Sequence, residues 1–205
     1  MKYINFYRQF KDFPIVHLSD IKNIEADFDH RRLYEWQKKG YLKKVMNEYY
    51  VFADKNLSDF EMGFIANQLR QPSYLSLEYA LRFYGLIPET VFMYTCITTK
   101  KTRQIKSEIG NFSYRSIKEK LFFGYKIIRE ENFSYKIAEP EKALLDFLYL
   151  RSDIDDKDSI YELRINKEIF EEIIDQKKME KYLQRFNSKR LTKKIKLVNK
   201  YVKSQ

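Results

Sequence analysis

A helix that ends at a glycine and is followed at once by a hairpin, between residues 28 and 53, constrains the fold of this chain most. Asp29 is a good N-cap, because its side chain can accept a hydrogen bond from a backbone N–H of the first helical turn. Gly40 is the expected stop, since glycine adopts the left-handed conformation with which many helices end. The alternating segments "YLKKV" and "YYVF" that follow predict two antiparallel strands.

The spacing of the apolar residues gives this helix two different faces. Phe28 and Leu33 flank the N-cap in the pattern of a hydrophobic staple. At 100° per residue, Leu33 and Trp36 lie about 60° apart, so both are expected in the core. The opposite side carries four residues that we expect at the protein surface: Arg31, Tyr34, Glu35 and Lys38.

The residues before this helix predict three further elements. "YINFYRQF" has the spacing of an amphipathic helix, and Pro14 to His17 form a short extended run. Ser19 is the expected cap of a brief helix from Asp20 to Glu25. Helix, strand, helix, helix and hairpin, in that order, are typical of a winged helix-turn-helix domain. Residues 1–53 are therefore predicted to be a DNA-binding domain of this kind.

A winged helix-turn-helix domain places its third helix in the major groove of double-stranded DNA and its hairpin along the phosphates. The predicted DNA-binding residues are Arg31, Tyr34, Glu35 and Lys38 of the helix, with Lys43 and Lys44 of the hairpin. In the alternative interpretation this unit is a small helical bundle that contacts proteins, and its charges are merely solvated.

The net charge of +10 is concentrated at the two ends of the chain. Residues 1–53 hold 10 Lys and Arg against 7 Asp and Glu, and residues 54–176 hold 18 against 21. Residues 177–205 hold 11 against the single Glu180. Concentrated positive charge favours nucleic acid or an acidic protein as a partner, although lysine-rich solvated helices are also common.

The C-terminal segment predicts one amphipathic helix over residues 191–202. Leu191, Ile195, Val198 and Val202 recur at helical spacing and should face the protein, which leaves the lysines in water. The residues predicted to make a second, sequence-independent contact with nucleic acid are Lys189, Arg190, Lys193 and Lys194. The alternative is a solvated helix that keeps the protein in solution.

The pattern changes at Asp54, so residues 54–205 are predicted to form a second domain. Ser58 and Glu61 form a capping box for a helix that should extend to about Arg70. Ser76 is the expected cap of a second helix, which Gly85 ends. The expected buried face of that second helix consists of Leu77, Ala80, Leu81 and Tyr84.

Residues 90–138 are predicted to be rich in strands. The strand-like segments are "TVFMYTCITT", "NFSYRSI", "LFFGYKII" and "FSYKIA", and the segment "KKTRQIKSEIG" is expected to be a polar, basic connection. Residues 139–205 are predicted to be helical and basic, starting with proline in the first turn of a helix. The fold class is therefore α+β: a winged helix-turn-helix followed by a mixed α/β domain with a helical C-terminus.

Several ordered blocks of sequence resemble one family. The segments "PSYLSLEYALRFYGLIPE", "ITTKKTR", "GNFSYRSI", "FGYKI" and "IAEPEKALLDFLYL" are similar to the hallmark segments of the AbiEi-family antitoxins of abortive-infection, type IV toxin–antitoxin systems. The N-terminal "LYEWQKKGYLKKVMNEYYVF" resembles the winged helix that precedes that core in the family. The resemblance extends over about residues 1–190.

This resemblance implies a transcriptional autorepressor with an antitoxin domain. Family members bind inverted repeats in their own promoter through the winged helix, and their C-terminal domain counters a nucleotidyltransferase-like toxin, without a stable complex being required. The alternative is a protein-interaction module without operator recognition, whose basic tail docks an acidic partner or nucleic acid. A nuclease-like or nucleotidyl-transferring enzyme built on the middle strands is a weaker third reading.

The residues indicate no active site, no metal and no cofactor. His17 and His30 are too few for a histidine-based metal cluster, and Cys96 lies in an apolar strand. The acids at 153, 155, 156 and 158 lack the glycine and distal glutamate of a calcium loop. Glu139 and Glu141 are expected to be helix-start charges, and Asp146 is expected to face solvent.

The sequence predicts a cytoplasmic protein. A single cysteine excludes an internal disulfide framework and suits a reducing compartment. The N-terminal residues mix charges with apolar side chains, unlike a signal peptide. No apolar run approaches the roughly 20 residues that span a bilayer, so no membrane association is expected.

Overall fold

The computed structural model of the protein describes residues 1–89 and 92–204. Its helices are α1 (Tyr3–Phe10), α2 (Leu18–Ile24), α3 (Arg31–Lys38), α4 (Asp59–Gln68), α5 (Leu77–Phe83), α6 (Pro140–Leu150), α7 (Lys157–Glu162), α8 (Lys167–Ile173), α9 (Gln176–Phe186) and α10 (Lys189–Ser204). Its strands are β1 (Val16–His17), β2 (Leu42–Met46), β3 (Tyr49–Phe52), β4 (Ser73–Leu75), β5 (Met93–Thr98), β6 (Arg103–Ser107), β7 (Gly110–Ser116), β8 (Tyr125–Glu130) and β9 (Phe133–Ala138). The predicted α+β class is confirmed.

The first 52 residues fold around their own apolar cluster. Three helices, α1 to α3, pack with an antiparallel sheet of order β1-β3-β2. The ring of Phe6 lies 4.8 Å from that of Trp36 and 5.3 Å from that of Phe52, so one aromatic side chain joins α1, α3 and β3. Trp36 is therefore a core residue, as the spacing of the helix predicted.

Two caps in this unit differ from the prediction. His17, and not Ser19, caps α2: the Ser19 N–H donates to His17 Nδ1 at 3.2 Å, and the His17 N–H donates to Asp20 Oδ2 at 3.0 Å. The third helix begins at Arg31, two residues after Asp29. The Asp29 carboxylate still accepts the Arg31 N–H at 3.0 Å, so it orders the residues that lead into the helix.

Gly40 ends α3 as predicted. It adopts a φ of +72°, and a Cβ added there would meet no atom within 4 Å. The backbone conformation, and not the available space, therefore favours glycine at this position.

The remaining strands form one mixed sheet of order β6-β7-β5-β4-β9-β8. The pairs β5–β7 and β4–β9 are parallel, and the other pairs are antiparallel. Helices cover both faces, as alternate residues of β4 show. The Ser73 hydroxyl points to α4, whereas the neighbouring Tyr74 donates to Asp146 of α6. The sheet therefore has α4 on one face and α6, with α7 to α10 around it, on the other.

The segment predicted to be a polar connection between two strands is itself a strand. Residues 103–107 form β6, which pairs with β7 at the edge of the sheet. Ile105 is its one buried apolar residue, so the alternation that marks a strand is weak in the sequence.

The strands begin and end differently from the prediction at two further places. The strand predicted from residue 90 begins at Met93, and Thr90 and Val91 lie outside the described residues. Residues 73–75 also join the sheet, although the strand-rich part was predicted to start near residue 90. The capping box of Ser58 and Glu61 is confirmed, and α4 ends at Gln68, two residues before the predicted end.

The two units share a packed boundary. Ile15, Val45 and Val51, on the face of the first sheet turned away from its own helices, join the larger apolar core. The Tyr49 hydroxyl donates to the Gln68 carbonyl at 3.2 Å, and β2 lies beside β6. The division near residue 54 stays a prediction, and a fragment cut there would expose these apolar side chains.

The C-terminal helix packs as predicted along its apolar stripe. Leu191, Ile195, Val198 and Val202 are all buried, and α10 is two residues longer at each end than expected. None of the helices among residues 1–89 and 92–204 combines the length and the apolar composition that crossing a bilayer requires.

Candidate nucleic-acid interface

Helix α3 displays the polar face that its sequence predicts. Leu33 and Trp36 are buried against α1 and the first sheet. The four residues predicted to contact DNA, Arg31, Tyr34, Glu35 and Lys38, are all exposed. The structure therefore brings together on one surface a guanidinium, an ammonium, a carboxylate and a phenol. Such a mixture of donors and acceptors suits the edges of bases, which present both donors and acceptors in the major groove.

Arg31 is held in place by its neighbour Asp29. Its Nε lies 3.0 Å from both carboxylate oxygens, and its Nη2 lies 2.9 Å from Oδ2. Hydrogen bonds from Arg31 lower the pKa of Asp29. The Arg31 side chain is nevertheless 81% exposed. Its guanidinium is thus oriented before any partner arrives, and a base or phosphate would share it with Asp29.

Tyr34 and Lys38 form a second ordered pair on the same face. The Lys38 Nζ lies 4.9 Å from the centre of the Tyr34 ring, one turn earlier in the helix. The ring is 60% exposed, so it is available for contact as well as for supporting the ammonium. Glu35 lies near enough to Arg31 to raise the pKa of its guanidinium further, after the larger effect of Asp29.

The two hairpin lysines, which were predicted to contact phosphates together, point in opposite directions. Lys43 lies opposite Val51 and Lys44 lies opposite Tyr50, so successive side chains leave opposite faces of the sheet. Tyr50 belongs to the core of the first unit, and Val51 belongs to the core shared with the second. Lys44 is exposed and Lys43 is half-buried at the boundary between the units.

A run of positive charge on the second unit lies next to this hairpin. Strand β6 lies beside β2, and the segment from 100 to 107 contains no acidic residue. The exposed basic residues of the two neighbouring strands and of the turn before β6, here called the basic strip, are Lys44, Lys100, Lys101, Arg103 and Lys106. The last four were not among the predicted site residues, because residues 100–110 were predicted to be a connection between two strands. The four basic residues occur close together in the sequence with no acid between them, and this pattern could have identified them as candidates.

The C-terminal set predicted to contact nucleic acid is divided by the structure. Lys189 and Lys193 are exposed, but Lys194 is 2% exposed and its ammonium donates to the Leu148 and Arg151 carbonyls. The prediction that Lys194 lies in water is wrong, because carbonyls at the end of α6 accept hydrogen bonds from its ammonium.

The other basic residues of α10 differ in whether they have partners within the chain. Arg190 donates to the Ser152 carbonyl at 2.6 Å and lies 3.6 Å from Asp155. The exposed lysines that recur on one side of α10, here called the lysine stripe, are Lys189, Lys193, Lys196 and Lys200. Helix α10 packs on α6, on the face of the second sheet opposite α4. The first unit packs on the α4 side, where the Tyr49 hydroxyl donates to the Gln68 carbonyl. The stripe is therefore remote from the boundary between the two units.

Asp146, which was predicted to face solvent, is fully buried. Its carboxylate accepts hydrogen bonds from the Tyr74 hydroxyl at 2.9 Å and the Ser76 hydroxyl at 3.0 Å, and it pairs with Lys142. Burial raises the pKa of Asp146 and lowers that of Lys142. Ser76 was expected to cap α5, but its hydroxyl is used here. Residues 141–148 of α6 are all buried. The apolar residues on all sides of this helix were the sequence pattern that could have indicated a buried Asp146.

The other acidic residues considered for chemistry have structural partners. Asp153 pairs with Arg151, whose hydrogen bonds lower the pKa of Asp153 to about 2. Asp156 caps α7 through the Ser159 N–H at 2.8 Å. Glu141 is buried and accepts the Asp175 N–H at 2.9 Å, so it is more than a helix-start charge. Within the described residues, no group of three or more His, Cys, Asp or Glu could hold a metal ion.

A cleft of about 760 Å³ lies between the sheet and helices α6 and α7. Arg115 and Ser113 of β7 line it together with the carboxylates of Glu78, Glu89 and Glu162. It is on the sheet face opposite α4 and therefore separate from the surface of α3 and the basic strip. Comparisons with models of protein families and with curated proteins find no match for this chain.

Proposed function

We propose that this protein is a sequence-specific, double-stranded DNA-binding transcriptional autorepressor whose N-terminal unit is a winged helix-turn-helix. The observation that carries the proposal is the outer face of α3, where Arg31, Tyr34, Glu35 and Lys38 are exposed together. The order of its elements and the β1-β3-β2 sheet accord with that fold. The third helix reads bases, and its preset Arg31 makes a bidentate contact with a guanine.

The basic strip supports this proposal from a second direction. Its five exposed cations lie on β2, on β6 and in the turn before β6, and these two strands are in contact. Such a surface neutralises phosphates and releases counterions, which gives affinity without sequence preference. DNA that enters α3 by its major groove then runs along β2 and β6, so the second unit contributes to binding as well.

The antitoxin part of the proposal rests on the resemblance of the sequence blocks to AbiEi-family proteins. The second unit counters a cognate nucleotidyltransferase-like toxin in the cytoplasm, and the first represses transcription from the promoter that both genes share. The blocks that carry the resemblance build β4, α5, β5, β7 and α6, which is the core of the second unit. Antagonism in this family is not thought to require a stable complex.

The proposal is tested with the full-length protein and the DNA upstream of its own gene. Footprinting should show protection of an inverted repeat at protein concentrations that leave a shuffled DNA of equal composition unprotected. A reporter driven by that promoter should be repressed, and co-expression should rescue cells from the neighbouring toxin gene. Equal binding to upstream and shuffled DNA would reject operator recognition, and a lack of rescue would reject the antitoxin role separately.

A further inference from the structure

A small pocket on the second unit has walls made mainly of aromatic rings. It has a volume of about 240 Å³ and opens between the start of α4, the end of α5 and β9. Its lining residues are Asp59, Phe60, Tyr79, Arg82, Phe83 and Tyr135. None of these residues belongs to α3 or to the basic strip, so the pocket is not explained by DNA binding.

Two of the lining residues are tyrosines whose hydroxyl groups make no hydrogen bond to described residues. Tyr135 is 5% exposed and Tyr79 is half-buried. Neither hydroxyl has a hydrogen-bond partner in the part of the chain that the structure describes. Each of these oxygen atoms can therefore accept a hydrogen bond from a donor outside this chain.

The pocket also has a negative charge at its edge. Asp59 is exposed, and among residues 1–89 and 92–204 no ion pair engages its carboxylate. Burial raises the pKa of Tyr135, and the charge of Asp59 makes the next largest contribution. The field of the carboxylate thus reaches the ring that forms the inner wall. A cation inside the pocket would be attracted by this charge and by the ring faces together.

A glycine in α4 keeps the inner wall in place. A Cβ added at Gly63 would lie 3.1 Å from the Tyr135 ring, closer than ordinary contact. Glycine in the middle of a helix costs about 0.5–1 kcal/mol relative to alanine, so its position there is explained by the space that the ring needs. The centre of the Phe60 ring lies 5.3 Å from that of the Tyr135 ring, and the two ring planes make an angle of 57°. The two rings therefore form two inclined walls of the pocket.

We propose that this pocket binds the guanidinium group of an arginine side chain from a partner protein. A guanidinium is planar, stacks on aromatic rings, and presents five N–H donors to the two phenol oxygens and the carboxylate. It is also less strongly hydrated than a lysine ammonium, so it enters a ring-lined pocket more readily. Phe83, at the rim, is 46% exposed and offers apolar surface to the rest of the partner.

Arg82 of the same chain acts against this occupant. It lines the pocket, is exposed, and forms no ion pair with any residue that the structure describes. Its positive charge repels an incoming guanidinium, so removing it strengthens binding. A nucleobase could also stack on the rings, but the unpaired Asp59 would repel its phosphate.

The test uses the full-length, ¹⁵N-labelled protein and two matched probes, Nα-acetyl-arginine amide and Nα-acetyl-citrulline amide. Citrulline keeps the shape of arginine and lacks the charge. The arginine probe should shift the backbone signals of Gly63, Tyr79 and Phe83, and the citrulline probe should not. Asp59→Asn should weaken arginine binding about twofold to fivefold, as loss of an exposed ion pair does. Arg82→Ala should strengthen it.

Asp158→Asn is the matched control, since Asp158 is also an exposed acid in the first turn of a helix. It should leave binding of the arginine probe unchanged. Both test positions are exposed, so the variants keep the fold, and the dispersion of the spectrum verifies this. Equal shifts with both probes, no loss in Asp59→Asn, or stronger binding of a nucleoside monophosphate than of arginine would each overturn the proposal.

Discussion

Helices α3 and α6 carry the same kinds of charged side chain and treat them in opposite ways. On α3, Glu35 and Lys38 stand in water. On α6, Lys142 and Asp146, four residues apart, are both 0% exposed. The sequence spacing is that of a helical pair in each case. Charged side chains whose donors and acceptors are unused, as on α3, can bind a partner. Charged side chains whose donors and acceptors are all used, as on α6, stabilise the fold instead.

The buried pair of α6 is satisfied on every side. The Lys142 ammonium donates to Tyr74 at 2.8 Å and to Asp146, and it lies within 5.3 Å of the ring centres of Tyr74, Phe123 and Phe186. Two more hydroxyl donors bind the carboxylate. Transfer of both charges from water is costly, so the arrangement holds its shape only while each partner is present. On α3, Glu35 and Lys38 are exposed to solvent instead, and this contrast supports the proposed function.

The largest expected effect follows from opening the buried pair. Asp146→Ala leaves the Lys142 ammonium buried without its carboxylate, and we expect the free energy of unfolding to fall by about 3–5 kcal/mol. The double variant Lys142→Met, Asp146→Leu should recover part of this loss, because it removes both charges but leaves the buried Tyr74 and Ser76 hydroxyls without the carboxylate that accepts from them. Urea unfolding of the full-length protein measures each value.

Glu35→Ala and Lys38→Ala provide the control on α3. Exposed substitutions of this kind change stability by less than about 0.5 kcal/mol. If Asp146→Ala also cost less than about 1 kcal/mol, the two helices would not differ in the way described here.

The next effect in size separates two adjacent lysines of α10. Lys194 binds the last carbonyls of α6, whereas its neighbour Lys193 is exposed. Lys194→Met should lower the free energy of unfolding by about 1.5–3 kcal/mol, the range for hydrogen bonds from a charged group. Lys193→Met should change it by less than about 0.5 kcal/mol. Equal losses in the two variants, measured by urea unfolding, would show that Lys194 is not buried as described.

A smaller effect distinguishes the two lysines of the hairpin. Lys44 is exposed on β2, and its replacement by alanine should reduce the slope of log K against log salt by about one, as loss of one phosphate contact does. Lys43 leaves the other face and is half-buried, so Lys43→Ala should reduce the slope less. Fluorescence anisotropy titrations over a range of salt concentrations give both slopes. A larger change in slope for Lys43→Ala than for Lys44→Ala would show that DNA contacts the face of the hairpin that carries Lys43, contrary to this prediction.

The smallest effect is expected for the lysine stripe of α10. It lies across the second sheet from the side that carries the first unit, and exposed charges farther apart than about 8 Å are screened at physiological salt. Reversal of Lys189, Lys193, Lys196 and Lys200 to glutamate should therefore leave specific DNA affinity within about twofold. A loss of DNA affinity as large as that caused by Arg103→Ala in the basic strip would show that DNA also contacts α10.

Local signals in the sequence were sufficient for most helices and for the face of α3. The capping box of Ser58 and Glu61 acts within one turn, and the stop at Gly85 depends on its own φ of +72°. Leu33 and Trp36 fix which side of α3 is buried by spacing alone. Such features need no knowledge of distant residues, so they can be read from a single sequence.

The features that the sequence did not reveal depend on partners far along the chain. Ser76 looked like a helix cap, but its hydroxyl is used by Asp146, 70 residues later. Lys194 looked like a solvated lysine, but it meets the end of α6, 46 residues earlier at Leu148. Strand β6 has a single buried apolar residue, and only its pairing with β7 shows that it belongs to the sheet. The basic strip could not be recognised before that pairing was known.

Whether α3 reads a DNA sequence is decided by measuring how well the protein discriminates its own upstream DNA from random DNA. Wild-type protein, Arg31→Ala and Arg103→Ala are titrated on both DNAs at the same salt concentration. Arg31→Ala should cost about 1–3 kcal/mol on the upstream DNA and little on random DNA, so that discrimination falls. Arg103→Ala should weaken binding to both equally and preserve discrimination. If Arg31→Ala weakened both DNAs equally, or if wild-type protein bound them alike, α3 would not be the reading element.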